Sequence, residues 1–269
     1  MNAMTKGMLA ASIAMVAAGS ANAVIVLGNG DSVSLATVLA TGDRMVQIDD
    51  KLFTFESYSS SVFEPNEVNI VGFISQNTNS YGLRNVGFDI TGPFGDGSPG
   101  DGHVHEANLQ YSVAVMADAY ARGVRLCDVK TVFNGSAGGE GSFSRVDESI
   151  FDLDANQFLG QLSVYDTFGP PRDTVLEAYA DYCDLNGGLG YRAFEVNKDL
   201  KFFAANPDGF ATASFIRQEF SQIPAPGAFA LLGIGGLVQQ LAHPFSSIIL
   251  FGVFACQAVT KHRAWKLGF

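Results

Sequence analysis

Asn108-Leu109-Gln110-Tyr111-Ser112-Val113-Ala114-Val115-Met116 places Leu109, Tyr111, Val113 and Val115 at every second position. Side chains two apart share one face of an extended chain, so this stretch reads as a strand with one side buried. Residues 51–58 repeat the pattern, Phe53 and Phe55 alternating with Thr54 and Glu56. Further strands are expected at 45–48, 68–75, 85–90, 124–133, 141–151, 158–166, 194–200 and 211–220. Gly, Asn, Asp and Pro clusters separate many of them, and Asn134-Gly135 and Gly187-Gly188 are expected to supply the positive φ of tight turns. Residues 35–39 read as one helical turn, and 174–184 as either a short helix or another strand. Many short strands so punctuated predict an all-β fold, a β-sandwich of two antiparallel sheets, with no internal repeat and no second domain boundary within it.

The two ends carry a different kind of signal. Lys6 opens a short positive start, an apolar run covers 8–18, and the small residues Ala21 and Ala23 stand where a signal peptidase needs them. Residues 1–23 therefore read as a signal peptide with its apolar helix, cleaved after Ala23. The run is well below the ~20 residues of a membrane span. At the other end Ile223-Pro224-Ala225-Pro226-Gly227 leads into Ala228-Phe229-Ala230-Leu231-Leu232-Gly233. Beyond it, Gln239-Gln240, His243 and Pro244 interrupt the apolar pattern, which resumes at 245–259 and is closed by Lys261, His262, Arg263 and Lys266. Residues 241–260 would make a helix of about 30 Å, the thickness of a hydrocarbon core. Its trailing cations fit the cytoplasmic side.

The chain between these ends is strongly acidic. All 27 acidic residues but only 12 of the 16 basic ones lie in 24–223, a net charge of −15. Phosphates would repel such a body, which argues against nucleic acid and anionic lipid as partners. Solubility outside the cell, or attraction for cations, is the economical reading. Its ~200 residues suffice for one domain with a proper core, and its recurrent Phe, Val and Leu exclude a disordered spacer.

The tail resembles the sorting signal of the PEP-CTERM proteins, bacterial exported proteins processed by an exosortase. Pro224, Ala225, Pro226 and Gly227 carry the match, with Ala225 where that family most often has Glu, and without its dense Arg cluster. The likeness extends upstream through residues 194–200 and 213–222, similar to the last two strands before the tail in a β-rich branch of the group. Asp50-Lys51-Leu52-Phe53 and Phe133-Asn134-Gly135-Ser136-Ala137 share it. The resemblance implies three regions: a leader at 1–23, an extracellular β-sandwich at 24–222 and a membrane-anchored sorting tail at 223–269. It also implies signal peptidase and an exosortase-like transpeptidase as processing partners, and a surface or extracellular-matrix role beside exopolysaccharide in a Gram-negative cell envelope.

Chemical motifs are few. Gly95-Asp96-Gly97-Ser98-Pro99-Gly100 has dinucleotide-loop spacing, but no helix pattern follows, so it reads as a turn. There is no nucleophile elbow, no H-E-x-x-H and no Cys/His zinc spacing. Asp96, Asp101, His103, His105 and Glu106 gather in one glycine-rich stretch and could offer oxygens to Ca²⁺ or imidazoles to a transition metal, though as a spacing they read first as a solvated loop. Asp49-Asp50, Asp152 and Asp154 read as turn residues and exposed faces. Cys127 and Cys183 either pair in an oxidising compartment or stand as two separate small core residues. No cofactor is expected, and no residue takes a catalytic role.

The function expected is thus display or association outside the cell. Its rivals are a carbohydrate- or Ca²⁺-binding module, marked by an exposed aromatic platform or a metal loop, and a secreted carbohydrate-active enzyme, marked by a groove with two carboxylates. In the native host the mature protein is expected to begin at Val24 and to end near Pro226. Intact-mass analysis of the exported form checks this, and an uncut C-terminus in a strain with a working exosortase would overturn the sorting assignment.

Overall fold

The computed structural model describes residues 24–224. The leader with Ala21 and Ala23, and the tail with Ala225, Pro226, Gly227 and the expected span at 241–260, lie outside the described residues. The chain runs β1 (Ile25–Leu27), β2 (Ser32–Ser34), α1 (Leu35–Ala40), β3 (Met45–Ile48), β4 (Lys51–Ser60), β5 (Asn69–Thr78), β6 (Arg84–Thr91), β7 (His105–Val115), α2 (Ala117–Ala121), β8 (Val124–Gly138), β9 (Phe143–Asp152), β10 (Gln157–Thr167), β11 (Asp173–Val175), β12 (Glu177–Asp181), a 3-10 turn at Cys183–Asn186, β13 (Ala193–Phe203) and β14 (Phe210–Pro224).

These strands form a β-sandwich. One sheet has eight strands in the order β1-β3-β4-β7-β13-β9-β10-β11, and the other has six in the order β12-β8-β14-β6-β5-β2. From β6 to β9, and again from β12 to β14, successive strands alternate between the sheets, so the chain wraps around its core in jelly-roll fashion. Pairing is antiparallel throughout except for the short β1–β3 edge pair. No helix among the described residues is long and apolar enough to cross a membrane.

The alternation of β7 decides its orientation as expected: Leu109, Tyr111, Val113 and Val115 are buried, and Asn108 and Gln110 are not. On the same principle Phe53 and Phe55 of β4 and Phe194, Val196, Leu200 and Phe202 of β13 point into the core. Phe53, Phe55, Phe88, Tyr111 and Phe220 pack as a ring cluster, Phe53 and Phe88 meeting edge to face at 5.1 Å. A second cluster of Phe63, Phe94 and Phe202 fills another part of the core.

One expectation changes, and one pair of alternatives resolves in favour of strand. Asn134-Gly135 is no turn but the interior of β8, with Gly135 opposite Ala213 of β14. A Cβ at Gly135 would lie 2.0 Å from the Phe133 ring, so this glycine makes room for an aromatic side chain instead of supplying positive φ. Residues 174–184 form no α-helix; most of them belong to β11 and β12, followed by the 3-10 turn. Gly187 and Gly188 do adopt positive φ, at 59° and 76°. Asp49 (φ 51°) and Asp50 make the two-residue turn between β3 and β4. β14 continues through Ile223 to Pro224, which pairs with Val124, so the sheet includes the first proline of the tail motif.

Cys127 of β8 and Cys183 of the 3-10 turn form a disulfide, their Cα atoms 4.7 Å apart. It closes a loop of 56 positions, for which chain entropy predicts about 4 kcal/mol of stabilisation. Cys127→Ser or Cys183→Ser should therefore lower the melting temperature by on the order of 10 °C, and calorimetry of the two variants and the reduced wild type checks this.

Candidate functional site

In the acidic loop no three of the ligand atoms of Asp96, Asp101, His103, His105 and Glu106 come within coordination reach of one another. Asp96 Oδ1 accepts from Ser98 N at 2.9 Å and Asp96 Oδ2 from Ala204 N at 2.7 Å. Asp101 Oδ1 accepts from His103 N at 2.7 Å. His105 Nδ1 lies 3.1 Å from Gly95 O and its Nε2 3.8 Å from Asp96 Oδ1. Glu106 has moved away into β7, opposite Lys201. Among the described residues the only trio of potential ligands within coordination reach is Cys127, Asp181 and Cys183, and two of its members are the disulfide. Buried Asp96 instead fastens the loop to the segment after β13.

The open face of the eight-stranded sheet is organised differently. Here β4, β7, β13, β9 and β10 lie side by side, and the residues out of phase with the core align in rows across them. The central row is Ser57, Gln110, Asn197, Ser149 and Gln161. Next to it runs Ser59, Asn108, Asp199, Asp147 and Ser163. The central row, with Asn108, Asp199 and Asp147 of the second, lines a cleft of about 420 Å³ with Lys201 at its margin.

Hydrogen bonds orient these side chains. Gln110 Nε2 donates to Glu195 Oε1 at 2.9 Å, as does Asn197 Nδ2 at 3.2 Å, which leaves the amide oxygen of Asn197 for a ligand. Ser163 Oγ donates to Asp147 Oδ1 at 2.7 Å, and Arg145 pairs with the same carboxylate at 2.8 Å. Lys201 pairs with Asp199, whose hydrogen bond raises the lysine above its ordinary range. Among the described residues the buried Asp199 Oδ1 has no hydrogen-bond partner. The central row itself is uncharged; of its acidic neighbours, Asp199 and Asp147 pair with Lys201 and Arg145, and Glu195 is held by the amides of Gln110 and Asn197.

Aromatic rings flank the polar rows. On one side the row Thr54, Ser112, Glu195, Phe151, Phe158 ends in two rings 5.4 Å apart, Phe158 being 54% exposed. On the other, Phe143 and Phe203 pair at 5.6 Å. Phe151 and Phe143 are eight residues apart on β9, about 27 Å at strand rise. Glu56 occupies the bulge between Phe55 and Ser57. Burial, and then the negative charge of Glu195, raise its carboxyl above the ordinary range, while a hydrogen bond with Ser112 opposes them.

Of the candidate ligands read from sequence only Glu106 falls on this face, and the residues of the two polar rows form no motif in the sequence. Their signal was present in the strand phase, since every polar residue of β7 and β13 out of step with the core faces outward. Which strands stand next to each other was not. For the loop, Ca²⁺ should leave the melting temperature unchanged, whereas Asp96→Ala should lower stability by about 1–3 kcal/mol through its two unpaired amide donors. Thermal melts with and without the ion distinguish the two roles.

No family model matches the chain, and no curated protein matches it. Among solved structures it is similar to a carbohydrate-binding module that recognises mannan, with 7% identity over 71% of this chain and 96% of that one and a TM-score of 0.26. It is also similar to a thermostable cellulase derived from that of Rhodothermus marinus, with 9% identity over 64% of this chain and 99% of the other and a TM-score of 0.22. A family 12 xyloglucanase from Bacillus licheniformis shows 8% identity over 64% and 99% with a TM-score of 0.20.

Proposed function

We propose that this chain is an exported glycan-binding protein whose eight-stranded face lies along an extended, neutral polysaccharide of the cell envelope or extracellular matrix. The observation that carries the reading is the uncharged row Ser57, Gln110, Asn197, Ser149 and Gln161 crossing the sheet between two aromatic pairs. Amides and hydroxyls both donate and accept, as sugar hydroxyls do, and the exposed Phe158 offers apolar area at the end of the cleft. The rows span several strands, which suits a linear polymer better than a compact metabolite. Export through the leader, and retention or release through the Pro224-Ala225-Pro226-Gly227 tail, would deliver such a face to exopolysaccharide, with signal peptidase and an exosortase-like transpeptidase as its processing partners.

A second reading, glycoside hydrolysis, has one observation in its favour. Burial, and then the negative charge of Glu195 across β7, push the Glu56 carboxyl upward, as a general acid requires. Binding without turnover is the first reading because no other feature of the face supplies chemistry.

Calorimetric titration with gluco-, manno- and xylo-hexaoses separates these possibilities. Binding of at least one neutral hexaose is expected, with Asn197→Ala, Gln110→Ala and Phe158→Ala each weakening it on the order of tenfold while leaving the melting temperature nearly unchanged. Affinity insensitive to all three substitutions would move the site elsewhere. Release of reducing ends that disappears in Glu56→Gln would establish the hydrolase in place of the binding module.

A further inference from the structure

The middle of the core holds a group of reactive side chains unrelated to the open face. Lys198 of β13 and Glu148 of β9 project from the eight-stranded sheet, and Gln218 of β14 and Thr131 of β8 meet them from the six-stranded one. All four are at most 2% exposed. Lys198 Nζ contacts Glu148 Oε1 and stands 2.9 Å from Gln218 Oε1. Thr131 Oγ1 donates to Glu148 Oε1 at 2.8 Å and reaches Gln218 Oε1 at 3.5 Å. Gln218 Nε2 donates to Lys130 O at 3.3 Å, which holds the carboxamide against the amine. Among the described residues Glu148 Oε2 has no hydrogen-bond partner.

We propose that Lys198 and Gln218 are joined by an amide bond that the folded protein forms by itself, with Glu148 carrying the protons. An amine, a primary amide and a carboxylate packed together in the buried core meet the geometric requirements of acyl transfer: a nucleophile against its acceptor and a base in hydrogen-bond reach of the nucleophile. Burial holds the Lys198 amine below the ordinary lysine range, opposed by the charge and hydrogen bond of Glu148. Of the two acyl groups beside Nζ, the carboxylate is the better base and the poorer electrophile, so the carboxamide is the one attacked.

The ammonium of Lys198 gives a proton to Glu148. The freed Nζ lone pair adds to Cδ of Gln218, whose oxygen takes up the negative charge beside Thr131 Oγ1. Glu148 returns its proton to Nε2, the Cδ–Nε2 bond breaks, ammonia leaves, and Nζ surrenders a second proton to Glu148. One C–N bond forms and one breaks, and no oxidant, reductant or further reactant takes part. The products are a neutral amide, a protonated Glu148 and ammonia, so the buried ion pair disappears. That removes the desolvation penalty of two charges enclosed in an apolar core, one of them with an unpaired oxygen.

The experiment is mass spectrometry of the purified full-length protein, digested and reduced. The expected result is a peptide pair joined through Lys198 and Gln218 and lighter than its sum by ammonia, about 17 Da. Glu148→Ala, Lys198→Met and Gln218→Met should each abolish it, with circular dichroism reporting whether the variants retain their sheets. Where a variant does not fold, the wild-type digest alone decides. Recovery of Lys198 and Gln218 in separate, unmodified peptides from folded wild-type protein overturns the proposal, as does a link from Lys198 to Glu148 with loss of water.

Discussion

Lys198, Glu148, Gln218 and Thr131 meet where two apolar sheet faces would otherwise touch, and the register of the sandwich depends on their meeting. A charge sealed from water is tolerated only beside its partners. Sliding β13 by one residue against β9 would turn Lys198 outward and bring Asn197 into the core, leaving Glu148 alone. Hydrophobic contacts are far more forgiving, because one apolar side chain substitutes for another at modest cost. The polar group therefore selects one alignment among several that the Phe, Val and Leu residues would accept. Removing a single partner should cost about 3–5 kcal/mol, more than most changes to the surrounding aliphatic side chains.

Similar polar ties recur away from the centre. Lys51 is fully buried against Asp50, whose carboxylate also accepts from Gln222 of β14 at 3.2 Å. Asp166 of β10 accepts from Ala137 N of β8 at 2.8 Å and pairs with Arg172. Asp128 of β8 accepts from Tyr179 and from Ser221 N. Most of these ties join elements distant in sequence, as a wrapped topology demands. With the inner faces so committed, the outward residues of β7, β13 and β9 are free of structural duty, and their amides and hydroxyls can be arranged for a ligand.

How much of this was legible in the sequence follows from the range of each interaction. Alternation is local, so the ten strands expected from it all exist, and Met45–Ile48 is found with the same bounds. The three-residue strands β1, β2 and β11 carry too few positions to show a period, and they form because a longer neighbour supplies the pairing edge. Asn134-Gly135 was read as a turn because glycine has two uses, φ freedom and close approach, and only the Phe133 ring tells which applies. The buried Lys198 was visible in phase, standing between Val196 and Leu200, both core residues. Its partners were not, since nothing in residues 193–203 says that β9 lies beside them and β14 opposite. The acidic loop shows the opposite limit: its carboxylates and imidazoles are close in sequence, but sequence does not show that backbone amides hold both oxygens of Asp96 and one of Asp101.

One feature of β14 bears on mechanics. This strand lies inside the six-stranded sheet, hydrogen-bonded to β8 on one side and β6 on the other, and the sheet persists to its final residue, Pro224. Tension applied at Pro224 along the strand would act perpendicular to the hydrogen bonds of both ladders. Loaded that way, the two rows of bonds resist in shear and share the force, whereas an edge strand peeled sideways yields one bond at a time. If the chain is held by this end and carries a polysaccharide as proposed, it would withstand drag without unravelling from its point of attachment.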